Sequence, residues 1–428
     1  MNNNDSICAI ATATGGALGI IRVSGEQSLV ILSRLFTKNL TTAKPNTIYY
    51  GHIKEGAEII DEVMVSVFRA PRSFTGEDSV EISCHGSRYI LNKVLELLIE
   101  NGCRMANPGE FTQRAYLNGK LDLSQAEAVA DLIASTNRST HRMAIQQLKG
   151  HFSSELHKLR DQLLHLTSLL ELELDFSDHE DLEFADRTEL LTLAQKIDQR
   201  VCQLAESFHT GNALKNGIPV AIIGAPNVGK STLLNALLGE ERAIVSEIQG
   251  TTRDAIEDTI QLGGVTFRFI DTAGIRHSDD IIERIGIERS HAAAQRASII
   301  LLITEPGVPY PILQPREDQT VIRIVNKTAE FQAKYGIGLE ELRTRLIAAA
   351  PQTTESDIII TSSRHHEALI LAHESLLRVL DGLHAQQTGD LLAEDLRLTI
   401  SALADITGGS ITPQETLNNI FSHFCVGK

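Results

Sequence analysis

The residues with the plainest chemical meaning are Gly224 to Ser231, GAPNVGKS, which fit GxxxxGK[ST] between an apolar run, VAIIG, and a helix-forming one, TLLNALL. Small residues there let successive backbone N–H groups wrap phosphate oxygens where a helix presents its positive end. Lys230 can reach the outer phosphates, and the Ser231 hydroxyl can ligate Mg²⁺. Two downstream segments supply what a phosphate loop alone lacks. GTTRD (Gly250 to Asp254) offers the Thr252 hydroxyl to the magnesium shell, and DTAG (Asp271 to Gly274) offers the Asp271 carboxylate and a Gly274 N–H for a γ-phosphate. Loops held by a γ-phosphate are released when it leaves, so the set implies hydrolysis coupled to switching.

Such loops need strands to hold them. Around the motif, the strands VTFRFIDTAG, SIILLIT and TVIRIVN alternate with helical stretches, which predicts a mostly parallel sheet covered by helices. The first ~120 residues read as α/β. The runs ICAIAT, LGIIRVSG, IDEVMVSVF and SVEISCHG are β-rich, and RYILNKVLELLIENG is helical. In SVEISCH, Val80, Ile82 and Cys84 alternate with polar residues, the pattern of a half-buried strand. From Leu121 the texture turns helical. Leu148, Phe152, Leu156, Leu159, Leu163, Leu166 and Leu170 form one stripe of a long helix, and Ile197, Val201, Leu204 and Phe208 form a second. The acidic stretch DFSDHEDLEFAD lies between them as a solvated loop, so the pair predicts a bundle. Helical periodicity returns after Pro351. The last helix opens on a capping box at Thr412, Pro413 and Glu415 and buries Leu417, Ile420, Phe421 and Phe424. The resulting organisation is an α/β domain over 1–120, a helical domain over 121–212 and 364–428, and a phosphate-binding module inserted at 213–363.

Composition limits the function classes. The chain has 428 residues, 42% hydrophobic and 22% charged, with ordinary mean hydropathy, enough for several cores. No apolar run approaches a membrane span, and the start, MNNNDSICAI, lacks the basic and apolar regions of a leader, so a cytoplasmic location is expected. Five cysteines without a CxxC pair argue against disulfides or a zinc site. A net charge of −16 argues against a protein that coats DNA or RNA.

The loops resemble a translation-factor-type GTPase domain, and the residues around them narrow the resemblance to the MnmE (TrmE) family of tRNA-modification GTPases, within the TrmE-Era-EngA-like group. Ile275 stands after DTAG where many regulatory GTPases place a water-orienting glutamine, and an apolar side chain cannot polarise water. The run DTAGIRHSDDIIERIGIERS resembles the family's second switch, which implies that Glu283 orients the attacking water. The resemblance also implies K⁺, held by Asn227, Ser246, Ile248 and Thr251, in the place of an arginine finger. Nucleotide contacts are implied at Asn227, Val228, Gly229, Lys230, Ser231 and Thr232 of the P-loop. In the first switch they fall at Ser246, Glu247, Ile248, Gln249, Gly250, Thr251 and Thr252. The remainder are Asp271, Thr272, Ala273 and Gly274, with Asn326 and Lys327 at the base. One departure concerns guanine. The motif NKxD reads here Asn326-Lys327-Thr328-Ala329, and AKYGIGLEEL follows closely, resembling the usual SAK stretch in a shortened module. Either Glu330 substitutes for the missing carboxylate or base recognition is relaxed.

Both flanks carry the same resemblance. FRAPRSFTGEDSVEISCHGS (Phe68 to Ser87), NPGEFTQRAYLNGKLDLSQAEAVADLI (Asn107 to Ile133) and the terminal FCVGK are similar to family signatures. They imply an N-terminal domain like the folate-binding fold of the glycine-cleavage aminomethyltransferase, with Arg22, Glu81, Lys120 and Lys428 lining a site for a tetrahydrofolate derivative. Basic groups suit a folate's glutamate tail, and a carboxylate suits the N–H edge of its pterin. Cys425 is either a thiol near that pocket or a small buried residue beside Phe424, and His85 is expected to be structural. ATATGGALG (Ala11 to Gly19) departs from the prolines more usual in the family. The function implied is a potassium-activated GTPase that dimerises through its N-terminal domain. With an FAD-dependent partner of the MnmG type, in a heterotetramer, it would place an aminomethyl or carboxymethylaminomethyl group on C5 of the wobble uridine of certain tRNAs. The alternatives are a nucleotide-gated scaffold or ribosome-assembly-type GTPase with relaxed base specificity and weak hydrolysis. A folate aminomethyltransferase acting alone is a third, disfavoured by the intact P-loop.

Overall fold

A computed structural model describes residues 5–175, 187–239, 258–270, 292–354, 356–409, 414–422, 424 and 427. They fall into two compact units, 1–133 with 147–164 and 400–428, and 134–146 with 165–399.

The first unit is built on a six-stranded sheet of β1 (Ser6–Ile10), β2 (Leu18–Ser24), β3 (Thr47–Glu55), β4 (Glu58–Phe68), β5 (Ser79–His85) and β6 (Cys103–Met105), in the order β3-β4-β5-β2-β1-β6. Only the β1–β6 pairing is parallel. The alternation in β5 holds: Val80, Ile82 and Cys84 are buried, in one core with Val63, Val65 and Val67 of β4 and with helices α1 (Ser28–Leu35) and α2 (Arg88–Glu100). The opposite face of β3 and β4 carries Ile48, Tyr50 and Met64, all exposed. A second core joins Leu123 and Ala126 of α4 (Leu123–Ala134) to Leu417, Phe421 and Phe424 around α12 (Gln414–Ser422), beside α3 (Glu110–Leu117). The helix expected at the C-terminus is thus described from Gln414, and Thr412 and Pro413 lie outside the described residues.

The single stripe expected from Leu148 onward is two helices. Leu148 closes α5 (Arg138–Leu148), and Gly150, at φ +80°, turns the chain before α6 (His151–Asp175) begins. An L side chain adopts that φ only with strain, so the apolar spacing continues across a break that the backbone makes. Phe152, Leu156, Leu159, Leu163, Leu166 and Leu170 are buried along α6.

In the second unit α7 (Arg187–Asn216) buries Ile197, Val201 and Leu204 and packs on α10 (Ser363–His384), where His373 Nδ1 lies 2.6 Å from Asp198 Oδ1. Phe208 is half-buried, stacked on His366 with 4.5 Å between ring centroids. The sheet comprises β7 (Ile218–Gly224), β8 (Asp258–Leu262), β9 (Val265–Phe269), β10 (Ile299–Thr304) and β11 (Thr320–Val325), in the order β11-β10-β7-β9-β8. All neighbours are parallel except β8 and β9. The uninterrupted apolar β10 is buried at every position, as a parallel strand covered on both faces must be. Helices α8 (Lys230–Leu238) and α9 (Leu339–Ala349) share its core, and α11 (Gly389–Thr407) follows α10.

Candidate functional sites

The phosphate loop connects the carboxyl end of β7 to α8, whose first residue is Lys230. Gly229 sits at φ +99°, and a Cβ there would lie 2.4 Å from Asn326 Nδ2, so only glycine permits this approach. Asn326, just past β11, ties three segments together. Its Nδ2 donates to Val228 O at 2.9 Å, its Oδ1 accepts from Ala333 N at 3.1 Å, and its own N–H donates to Thr304 O at 2.8 Å. Lys327 Nζ donates to Asn227 O at 3.2 Å and pairs with Glu305. Lys230 Nζ is bonded to Gly224 O and Ala225 O at 2.8 and 2.9 Å, and burial holds its ammonium below the usual lysine range. The structure therefore brings Asn227, Val228, Gly229 and Lys230 together with Asn326 and Lys327, with Ser231 and Thr232 in the first turn of α8. Backbone donors at a helix N-terminus with a lysine suit the phosphates of a nucleotide. The described residues contain no cluster of three or more His, Cys, Asp and Glu that could hold a metal ion. The Ser231 hydroxyl at the start of α8 and the Asn227 amide are oxygen donors of the kind hard cations prefer. Ser246, Glu247, Ile248, Gln249, Gly250, Thr251 and Thr252 lie outside the described residues, as do Asp271, Thr272, Ala273, Gly274 and Glu283.

The first unit holds a second polar site. Register pairs Arg22 of β2 with Glu81 of β5, and Arg22 Nε and Nη2 both donate to Glu81 Oε1, at 3.0 and 2.9 Å. Arg22 Nη1 donates to Gly427 O at 3.1 Å, which fastens the C-terminal tail to the sheet. The guanidinium lies over the rings of Phe74 and Phe111, 5.8 and 5.6 Å from their centroids. Lys120 Nζ donates to Pro71 O at 3.0 Å, on the loop that carries Phe74. Next to Phe111, Thr112 Oγ1 and Gln113 Nε2 are buried and have no hydrogen-bond partner, an arrangement that costs free energy unless something satisfies it. A cation–carboxylate pair and two aromatic faces fit a flat heteroaromatic ligand with an anionic tail such as a folate. Cys425 and Lys428 lie outside the described residues.

Phe74, Phe111 and Gly427 stand within the flanking signatures, yet type and spacing do not mark them as site residues, because they meet Arg22 only through the fold. An ion network centred on buried Glu110 and Arg114 runs beside Phe111 on α3. Arg114 Nη2 donates to Asp5 Oδ1 at 2.6 Å and to Glu110 Oε1 at 3.1 Å, and Arg104 Nη2 donates to Glu110 Oε1 at 2.6 Å. Burial pushes the Glu110 and Asp5 carboxyls up, but their bonds to Arg104 and Arg114 outweigh it and hold both below the usual range. His85 is anchored, its Nδ1 2.7 Å from Asp61 Oδ1 and its N–H donating to Asp61 Oδ2. Buried Cys84 has its thiol pushed up to about 12, mainly by desolvation, and is inert at neutral pH.

Comparison with known proteins addresses the whole chain. A family profile described as the MnmE helical domain matches residues 123–425, and one described as the N-terminus of the GTP-binding protein TrmE matches 6–120. The tRNA modification GTPase MnmE of Bacteroides fragilis (strain NCTC 9343) is 52% identical over the full length of both chains. The chain belongs to the MnmE family of tRNA modification GTPases. The Phocaeicola vulgatus member is 51% identical, again over both full lengths, and the Porphyromonas gingivalis member is 48% identical over all of this chain and 98% of its own. The B. fragilis alignment spans 466 positions against 428 residues here, so about 38 positions face gaps in this chain. Among solved structures, the cytosolic domain of the T. maritima FeoB iron transporter in a GDP form aligns with 45% of this chain and 95% of its own. Its identity is 18% and its TM-score 0.21, too slight a likeness to bear on the fold.

Proposed function

We propose that the chain hydrolyses GTP under potassium activation and, with an MnmG-type FAD-dependent partner, modifies C5 of the wobble uridine of certain tRNAs. The observation that carries this reading is the phosphate loop locked to Asn326 and Lys327 in a chain that matches a relative over that relative's whole length. Backbone N–H groups of 227–230 and the Lys230 ammonium bind the phosphates. Lys230 gives up the Gly224 and Ala225 carbonyls when phosphate oxygens replace them. Ser231, Thr252 and Asp271 would hold Mg²⁺, and Asn227, Ser246, Ile248 and Thr251 would hold K⁺. These cations supply positive charge against the charge that develops between the β- and γ-phosphates. Glu283 orients the attacking water. Release of the loops at 246–252 and 271–274 after hydrolysis passes the change to the rest of the chain.

In the first unit Arg22, Glu81, Lys120 and Lys428 would bind the tetrahydrofolate derivative, which when bound supplies the one-carbon unit. Arg22 fixes an anionic group and Glu81 accepts from an N–H edge, while Phe74 and Phe111 exclude water from one side. The reading keeps three domains, over 1–120, over 121–212 with 364–428, and over 213–363, and a homodimer formed through the first. The chain acts in the cytoplasm, and no helix among the described residues is long and apolar enough to cross a membrane.

GTP turnover measured in potassium and in sodium tests the mechanism. We expect turnover to depend on potassium and to fall about 10²-fold or more in Glu283→Ala. Equal rates in the two salts, or undiminished turnover in the variant, would overturn it.

A further inference from the structure

The loop after β11 carries Ala329 where the motif it resembles, NKxD, has a carboxylate. Guanine presents N1–H and a 2-amino group side by side, and a carboxylate accepts from both. Hypoxanthine keeps N1–H and lacks the amino group. In this chain the residue two after Lys327 is Ala329, whose methyl accepts nothing.

Asn326, Thr328 and Glu305 are committed elsewhere. Asn326 spends Nδ2 on Val228 O and Oδ1 on Ala333 N, at 2.9 and 3.1 Å. Thr328 Oγ1 accepts from Phe331 N at 3.0 Å, and Thr328 N donates to Phe331 O at 3.1 Å, which closes 328–331 into one tight turn. Glu305, at the end of β10, is paired with Lys327 Nζ. Glu330 is exposed on the turn, and the turn is pinned from behind. A Cβ on Gly338 would lie 2.6 Å from Phe331 Cδ2 and 2.8 Å from Glu330 O, so the loop has no slack on that side.

We infer that this chain binds 6-oxopurine nucleoside triphosphates without discriminating at the purine 2-position, so that inosine triphosphate is a ligand and substrate on a par with GTP. The inference rests on the nucleotide site proposed above and names the substrate class that site accepts. One charge-assisted hydrogen bond changes an affinity by about tenfold or more, so the presence of an acceptor would be plain in a ratio of affinities.

The test is competition of Mg²⁺-GTP and Mg²⁺-ITP against a fluorescent GTP analogue on the full chain in potassium. The expected result is affinities within about threefold of each other in the native chain and in Glu330→Gln, with Ala329→Asp moving the ratio towards GTP by about tenfold or more. A native preference for GTP over ITP of about tenfold, abolished in Glu330→Gln, would show that Glu330 supplies the acceptor and overturn the inference. An unchanged ratio in Ala329→Asp would overturn the placement of residue 329 at the 2-position. Binding of neither triphosphate would overturn the nucleotide site itself, and the inference with it.

Discussion

At the residue scale, Arg22 joins two strands, the C-terminal tail and two aromatic rings. It carries two bonds to Glu81, one to the carbonyl of Gly427, and stands over two aromatic rings. A lysine keeps the charge but cannot form the planar fork or lie flat on the rings. Tetrahydrofolate binding to Arg22→Lys, followed by calorimetry, is therefore expected to fall about tenfold or more while GTP turnover stays near native. The buried hydroxyl of Thr112 gives the opposite comparison. With no partner for Oγ1, Thr112→Val is expected to stabilise the ligand-free chain by about 1 kcal/mol, read from denaturant midpoints, and a lower midpoint would mean that the hydroxyl is satisfied. How these residues could be read from the chain differs. The phosphate loop is legible because its chemistry is local, eight consecutive residues between a strand and a helix. Phe74, Phe111 and Gly427 are ordinary residues whose meaning comes from sheet register and from a tail that returns across most of the chain.

At the element scale, the ion network couples α3 to the strand edges of β1 and β6. Arg104 follows Cys103 on β6, Asp5 precedes β1, and Glu110 and Arg114 are one turn apart on α3. The folded carboxyls of Glu110 and Asp5 lie below their ordinary values of 4.5 and 3.8, so the stability they contribute is present above those values and lost as the pH falls through the lower, folded ones. Glu110 is 2% exposed, and removing its charge leaves Arg104 and Arg114 with fewer partners. Glu110→Gln is expected to cost about 3 kcal/mol at pH 7 and progressively less as the pH falls below 4.5, followed by urea unfolding at several pH values. An equal loss at every pH would remove the carboxylate charge as its cause. Element type was legible wherever periodicity was strong, as in β5, β10 and α2. The break at Gly150 was not, because the leucine spacing continues through it and only the sign of φ marks the turn. Nor was β3, the edge strand, whose TIYYGHIKE buries only Gly51 and Ile53 among exposed and half-buried positions.

At the scale of the whole molecule, the charge of −16 and the open face of the N-terminal sheet point to surfaces beyond this chain. Much tRNA contact would have to come from a more basic partner, since phosphate binding draws on lysine and arginine. The sheet face is a different matter. Helices α1 and α2 cover one side, while on the other Tyr50 pairs with Met64, Met64 with Ser83, and Ser83 with Ile20, a row across β3, β4, β5 and β2. Tyr50 is 57% and Met64 47% exposed, and Ile48, 64% exposed, stands beside them. Apolar and aromatic residues gathered on one face, rimmed by Glu62 and Arg22, have the composition of an interface core rather than of scattered surface hydrophobics. If the homodimer forms through this face, Met64→Glu places a charge within it and must either desolvate that charge or open the contact. Sedimentation velocity of the full chain is expected to show dimers for the native protein and monomers for Met64→Glu, with nucleotide binding by the separate unit retained. Dimers that persist in both Met64→Glu and Tyr50→Glu would move the dimer contact off this face, and a native chain that sediments as a monomer would remove the homodimer from the proposal.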